Sequence, residues 1–237
     1  MKLTFLTLMF LLSSSPIFAG SFTFTAGSGS IVPGTVDIMN HCDDCTTAIT
    51  LPFAWTLYGT SYTSANVSSN GVLEFGSNNI TPINISLPAT KFTDSIFAYW
   101  GDLASDDTAH GQGIFTSVSG SGPNRIFNIE WRTVFASAAT APDNIFEVRL
   151  YEGLGRFDLI YGSLVGTGGF TTVGVQHGST DFTLFESNTV GTLSAGKKLT
   201  FTAVPEPGTL GLVCFGGCVT LLVRRKTRRA AFGPKTQ

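Results

Sequence analysis

The chain has 237 residues, rich in glycine (27) and phenylalanine (20), with 13% charged residues and a formal net charge of −2. That small total hides a division. The last fourteen residues hold six bases and no acid, whereas residues 20–201 hold seven bases against fifteen acids, a net −8. So acidic a body lacks the basic footprint that nucleic-acid binding needs, which excludes that class of partner.

Residues 1–19 read as a secretory signal peptide. Lys2 supplies the positive start, Leu3–Leu12 the apolar run, Ser13–Pro16 the break, and Ala19 the last residue before cleavage, although Ile17 is bulkier than the usual small residue. The run is too short to span a bilayer and fits a signal h-region. The Sec machinery and a signal peptidase are the partners this implies.

Residues 20–201, long enough for one domain with a proper core, read as strands almost throughout. Leu51–Leu57, Ser64–Val67 and Val72–Phe75 are the first set, with Ser69-Asn70-Gly71 as a hairpin turn before the last. Ile96–Trp100 and Gly113–Ser119 follow. In Arg125–Phe135 the residues Phe127, Ile129, Trp131, Thr133 and Phe135 alternate with Ile126, Asn128, Glu130, Arg132 and Val134. Asn144–Tyr151 and Phe157–Tyr161 alternate in the same way around a glycine-rich turn at Glu152–Gly155, which predicts a hairpin. Thr171–Gln176, Phe182–Phe185 and Lys198–Phe201 complete the series. About ten short strands without a helical period predict an all-β, two-sheet antiparallel sandwich of jelly-roll or Greek-key type.

Beyond the body, residues 202–208 read as an extended linker carrying Val204-Pro205-Glu206-Pro207, residues 209–223 as a short hydrophobic transmembrane helix, and residues 224–237 as a basic cytoplasmic tail. The span rises roughly 22 Å against a hydrocarbon core of about 30 Å, a shortfall that arginine snorkelling and local thinning make up. Arg224, Arg225, Lys226, Arg228 and Arg229 form its cationic stop. Cys214 and Cys218 share one face of that helix, where cysteine behaves as a small apolar residue. In the body, Cys42 and Cys45 are compatible with a local disulfide, with free thiols, or with a metal or redox site. A zinc site would need a second ligand pair that the body lacks.

The order Pro-Glu-Pro, apolar helix, arginine cluster resembles the PEP-CTERM sorting tail of Gram-negative bacteria over Val204–Arg229. The resemblance implies recognition by an exosortase, with Pro205, Glu206 and Pro207 as the motif, transient inner-membrane anchoring, and passage of the body to the cell surface. A plain single-pass anchor is the competing reading. The body is similar, over roughly Leu51 to Phe185, to the nidogen-type (NIDO) extracellular domain. The residues that carry this likeness include Leu51-Pro52-Phe53, Leu57-Tyr58-Gly59, Val67-Ser68-Ser69-Asn70-Gly71, Tyr99-Trp100-Gly101-Asp102-Leu103, Asn144–Glu152 and Val173–Gly178. That resemblance implies an adhesive or structural domain with no catalytic centre.

For chemistry, Asp102, Asp106 and Asp107, with His110 close by, are the metal candidates; such carboxylates suit Ca²⁺, although the spacing is not that of an EF-hand. A solvated acidic turn is the plainer reading, and the same holds for Asp37, Asp43 and Asp44. Three scattered histidines (His41, His110, His177) and no nucleophile elbow argue against an enzyme. A hidden glycosidase would draw its acids from Asp102, Asp107, Glu130 and Glu147, but the last two are expected to face solvent or to pair with Arg132 and Arg149 across the sheet. Trp131 is expected in the core, while Trp100 beside Asp102 is a candidate sugar platform. The acceptor sequences at Asn66, Asn79 and Asn84 would be coincidental in the bacterial source that the tail's resemblance implies. The expected function is a non-catalytic structural or adhesive surface or matrix protein, alongside exopolysaccharide. A carbohydrate-binding module, calcium-assisted or not, and a secreted hydrolase are the alternatives.

Overall fold

The computed structural model describes residues 20–136 and 141–204. The signal peptide, Pro205–Pro207, the hydrophobic span with Cys214 and Cys218, and the basic stop from Arg224 to Arg229 lie outside the described residues. Among the described residues no helix is long and apolar enough to cross a membrane.

The strands are β1 (Ser21–Ser28), β2 (Val36–Asp37), β3 (Thr46–Leu57), β4 (Thr60–Ser68), β5 (Val72–Glu74), β6 (Ser95–Trp100), β7 (Leu103–Ala104), β8 (Gly113–Ser119), β9 (Ile126–Phe135), β10 (Asn144–Tyr151), β11 (Arg156–Tyr161), β12 (Thr172–His177), β13 (Asp181–Ser187) and β14 (Lys197–Val204). They form two antiparallel sheets, ordered β1-β14-β11-β10-β9-β8-β2, with β7 also on β9, and β13-β12-β6-β5-β4-β3. Each sheet is a meander (β8–β11 and β3–β6) extended by later or earlier strands. The sandwich expected from the alternation is the fold. Strand β14 runs on to Val204, paired with Ser21, so the ladder takes in Thr202–Val204, which the composition had assigned to the linker.

The facing sheets bury one continuous core. Phe127, Ile129 and Trp131 of β9 and Phe146, Val148 and Leu150 of β10 meet Leu73, Ile96 and Tyr99. Trp131 stacks on Phe146 at 5.2 Å, and Phe157 on Phe201 at 4.8 Å. Polar bonds cross between the sheets inside this core: Trp131 Nε1 donates to Ser68 O (2.9 Å) and Tyr161 Oη to Ala98 O (2.8 Å). Buried donors are thereby satisfied at the same contacts that fill space.

The outer faces are covered as well. Over the second sheet, the segment between β5 and β6 packs Leu87, Ala89 and Phe92 on Val72, Phe97 and Trp100. Trp100 Nε1 donates to Thr81 O (2.9 Å), and the Gln176 amide bridges Ala89 and Phe92. Over the first sheet, the segment joining β1 to β2 crosses the β9–β10 pair. Glu130 and Glu147 stand directly opposite one another there, an arrangement that repels. Each carboxylate is compensated twice: Glu147 accepts from Val32 N (2.9 Å) and Arg149, and Glu130 from Gly34 N (2.8 Å) and Arg132.

This corrects the expectation for the two glutamates. They are buried rather than solvent-facing, and each pairs with the arginine two residues along its own strand instead of across the sheet. Burial pushes the Glu147 carboxyl above its usual range despite these bonds. Gly34 is required for the crossing, because a Cβ there would lie 2.4 Å from Phe115 Cβ. Glu147→Ala leaves the Val32 amide without its acceptor and the half-buried Arg149 with Ser30 O alone. It is expected to cost about 3 kcal/mol, read as a lowered urea midpoint at unchanged m-value.

Candidate functional site

At one end of the sandwich, three loops that are distant in sequence meet around one side chain. The turn Ser69-Asn70-Gly71 buries Asn70 completely. Its Nδ2 donates to Asp44 Oδ1 (2.7 Å) and to Ile80 O (3.1 Å), and its Oδ1 accepts from Leu103 N (2.8 Å). Its backbone carbonyl accepts from Gly101 N at 3.3 Å. The backbone N–H groups of Gly101 and Leu103, the residues on either side of Asp102, are thus bound to one residue. Gly71 has φ +76, and a Cβ there would meet Tyr99 O at 2.5 Å, so the turn seats directly on β6.

The second loop is closed by a disulfide between Cys42 and Cys45, with Cα atoms 6.0 Å apart. Ser105 and Ser69 hold it from both sides: Ser105 N donates to Cys42 O (2.9 Å), Ser69 N to Cys45 O (3.0 Å), and the Ser69 hydroxyl to Asp43 O. This places Asp43 and Asp44 beside Asp102, with carboxylate oxygens of all three within 4.8 Å of one another and all three residues exposed. Although Asp43 is exposed, partial desolvation of its carboxyl by the surrounding loops, then the charges of Asp44, Asp102 and Asp106, raise it above its ordinary range. Among the described residues none of the three has a lysine, arginine or histidine in ion-pair contact.

Of the metal candidates, Asp102 therefore joins Asp43 and Asp44, while Asp106 lies near enough to Asp43 to act on its charge. Asp107 is occupied elsewhere: it caps the 3-10 turn Thr108–His110 and pairs with His110 Nδ1 at 2.6 Å. Asp37 pairs with His41 (3.0 Å). Three carboxylates offer about half of the six to eight oxygens that Ca²⁺ takes. The third histidine, His177, is paired with Asp94, which also accepts from Tyr62. All three tryptophans are buried, Trp100 at 1% exposure, so the candidate sugar platform beside Asp102 is inside the fold rather than on its surface.

Next to the carboxylates lies a cleft of about 450 Å³, lined by Pro82, Ile83, Asn84, Asp102, Phe135 and Phe170. Ile83 and Phe170 are 75% and 66% exposed. A smaller, separate hollow of about 220 Å³ shares Ile83 and is lined by Thr81, Ile85, Phe92 and Lys91. Sequence had marked Asn70 only as a turn residue, and it gave no sign of Ile83 or Phe170.

A family model described as NIDO related matches residues 19–211. The chain belongs to the NIDO-related family. No curated protein and no solved structure matches it. Membership in the NIDO-related family is consistent with an extracellular structural or adhesive domain and with a location outside the cell or at its surface. Two of the stretches that carried the nidogen-type likeness, Val67–Gly71 and Tyr99–Leu103, are those that meet at Asn70.

Behind Phe170, Glu186 is buried and accepts from Thr189 N (3.2 Å) and the Thr171 hydroxyl (3.2 Å). Burial raises its carboxyl to about 7. The native state then holds a proton that the unfolded chain has lost between the ordinary carboxylate range and pH 7, so stability falls as pH rises through that window. Urea midpoints are expected to drop between pH 5 and pH 8, and Glu186→Gln is expected to remove most of that drop. Asn70→Ala orphans Leu103 N and Ile80 O together and is expected to cost about 3 kcal/mol, read by the same denaturation.

Proposed function

We propose that this NIDO-related chain is a non-catalytic structural or adhesive protein of the cell envelope or extracellular matrix, delivered there by a sorting tail. The Sec machinery exports it and a signal peptidase removes residues 1–19. The hydrophobic span 209–223 then holds it transiently in the inner membrane, where an exosortase recognises Pro205-Glu206-Pro207 and releases the body to the surface, alongside exopolysaccharide. The observation that carries the reading is the extent of the family match, which covers the whole β-sandwich between the two export signals.

The state of the acidic residues supports a non-catalytic role. Glu130 and Glu147, two of the acids a glycosidase would draw on, are sealed under the β1–β2 segment and neutralised by arginine. Asp107 is committed to His110. These are the partners of structural carboxylates rather than of a proton donor and base facing a cleft.

The test is fractionation of cells expressing the chain with and without Pro205, Glu206 and Pro207 replaced by alanine. The unaltered chain is expected as a shortened species at the surface or in the medium, and the altered chain as a full-length species in the inner membrane. Loss of the host exosortase should reproduce the second pattern. A full-length, membrane-bound product in every case would leave only a permanent anchor.

A further inference from the structure

The cleft beside Asp102 has two properties that are seldom left together on a free surface. Its walls are apolar and accessible: Ile83 and Phe170 present most of their side chains to solvent, and Ile80 and Ile85 are half exposed nearby. Its rim is negative and uncompensated, since Asp102 lines the cleft and brings the carboxylates of Asp43 and Asp44 to within 4.8 Å of its own. Exposed apolar patches next to ordered polar groups mark interaction surfaces. The rim is tied to the segment that enters the cleft, because the Asn70 amide binds Asp44, Ile80 and the Asp102 loop at once.

The chemistry of the occupant follows from these walls and this charge. An anionic headgroup or acidic polysaccharide would be repelled by the three carboxylates. A neutral sugar can stack on the exposed Phe170 ring, but it leaves the three carboxylates without a counter-charge. A lysine or arginine side chain fits both features, since its aliphatic stem packs on apolar walls while its head reaches the acids. A second hollow shares Ile83 and is lined by Thr81 and Ile85, with Lys91 at its edge, which gives apolar neighbours of that cation a place to lie. We propose that this cleft is a docking site for a partner polypeptide segment that presents a lysine or arginine flanked by apolar residues. The Asp102 rim would take the cation and Ile83 and Phe170 the flanks. The inference goes beyond the envelope role above and does not depend on how the tail is processed.

The test uses the full-length chain in non-ionic detergent, with calorimetric titration of a short blocked peptide carrying one arginine between leucines. Two control peptides replace the arginine by neutral citrulline or by glutamate. The arginine peptide is expected to bind at least tenfold more tightly than either control, and to weaken as salt is raised from about 50 to about 300 mM. Asp102→Asn and Phe170→Ser are each expected to weaken it at least tenfold, whereas Asp181→Asn, far from the rim, should leave it unchanged. Asp43→Asn serves as the second charge variant should Asp102→Asn alter the thermal melt. Equal affinity for the arginine and citrulline peptides would overturn the proposal. So would insensitivity to both charge variants, binding seen only with added Ca²⁺, or a cleft filled instead by a second copy of the chain.

Discussion

The amide of Asn70 is the contact on which the functional end of the molecule depends. A buried asparagine can offer two donors and an acceptor, and here all of them are spent on different loops: Asp44 and Ile80 take the donors and Leu103 supplies the hydrogen for the acceptor. Other bonds join these loops in pairs, Ser105 N and Ser69 to the Cys42–Cys45 loop and Trp100 Nε1 to Thr81 O, whereas the Asn70 amide reaches all three. Without that amide the disulfide-closed Cys42–Cys45 loop, the Ile80 segment and the Asp102 loop would keep only those pairwise ties. In a low-dielectric site such a network is worth more than its parts, because each partner it loses becomes a buried, unsatisfied group.

The same economy governs the outer faces of the sandwich. Sheets that turn one face to the core and one to water need no covering, yet both outer faces here are covered. Each covering segment is fastened by polar groups projecting from the sheet: Trp100 and Gln176 on one side, Glu130 and Glu147 on the other. Burying two facing carboxylates is costly. Two arginines and two backbone amides bring that cost down, and in return the crossing segment is locked in a single register.

How much of this was legible in the sequence varies with range. The inner face of β9 and β10 could be read directly, since Phe127, Ile129 and Trp131 alternate with polar residues and local periodicity reports the core side of a strand. Strand β1 was not read, because Ser21–Ser28 is small and polar apart from its two phenylalanines and only Phe22 goes fully inward. Alternation also misled on the outer face: it marks Glu130 and Glu147 as away from the core, but whether a loop covers that face is a matter of tertiary structure. The acidic rim was half visible. Asp43-Asp44 and Asp102 each stood out as acids, but only the antiparallel ladder and the Asn70 turn bring them together, and no local pattern encodes such a meeting.

If Asn70 is the common tie, the three loops should loosen as one. Amide hydrogen exchange across the Cys42–Cys45 loop, the Asn79–Pro82 segment and the Gly101–Ala104 segment, compared between the unaltered chain and Asn70→Ser, tests this most directly. Faster exchange in all three segments, with the β9–β10 ladder still protected, is the predicted result. Faster exchange confined to the Ser68–Val72 turn would contradict it, because the loops would then be held by their other bonds and the acidic rim would owe nothing to the shared amide.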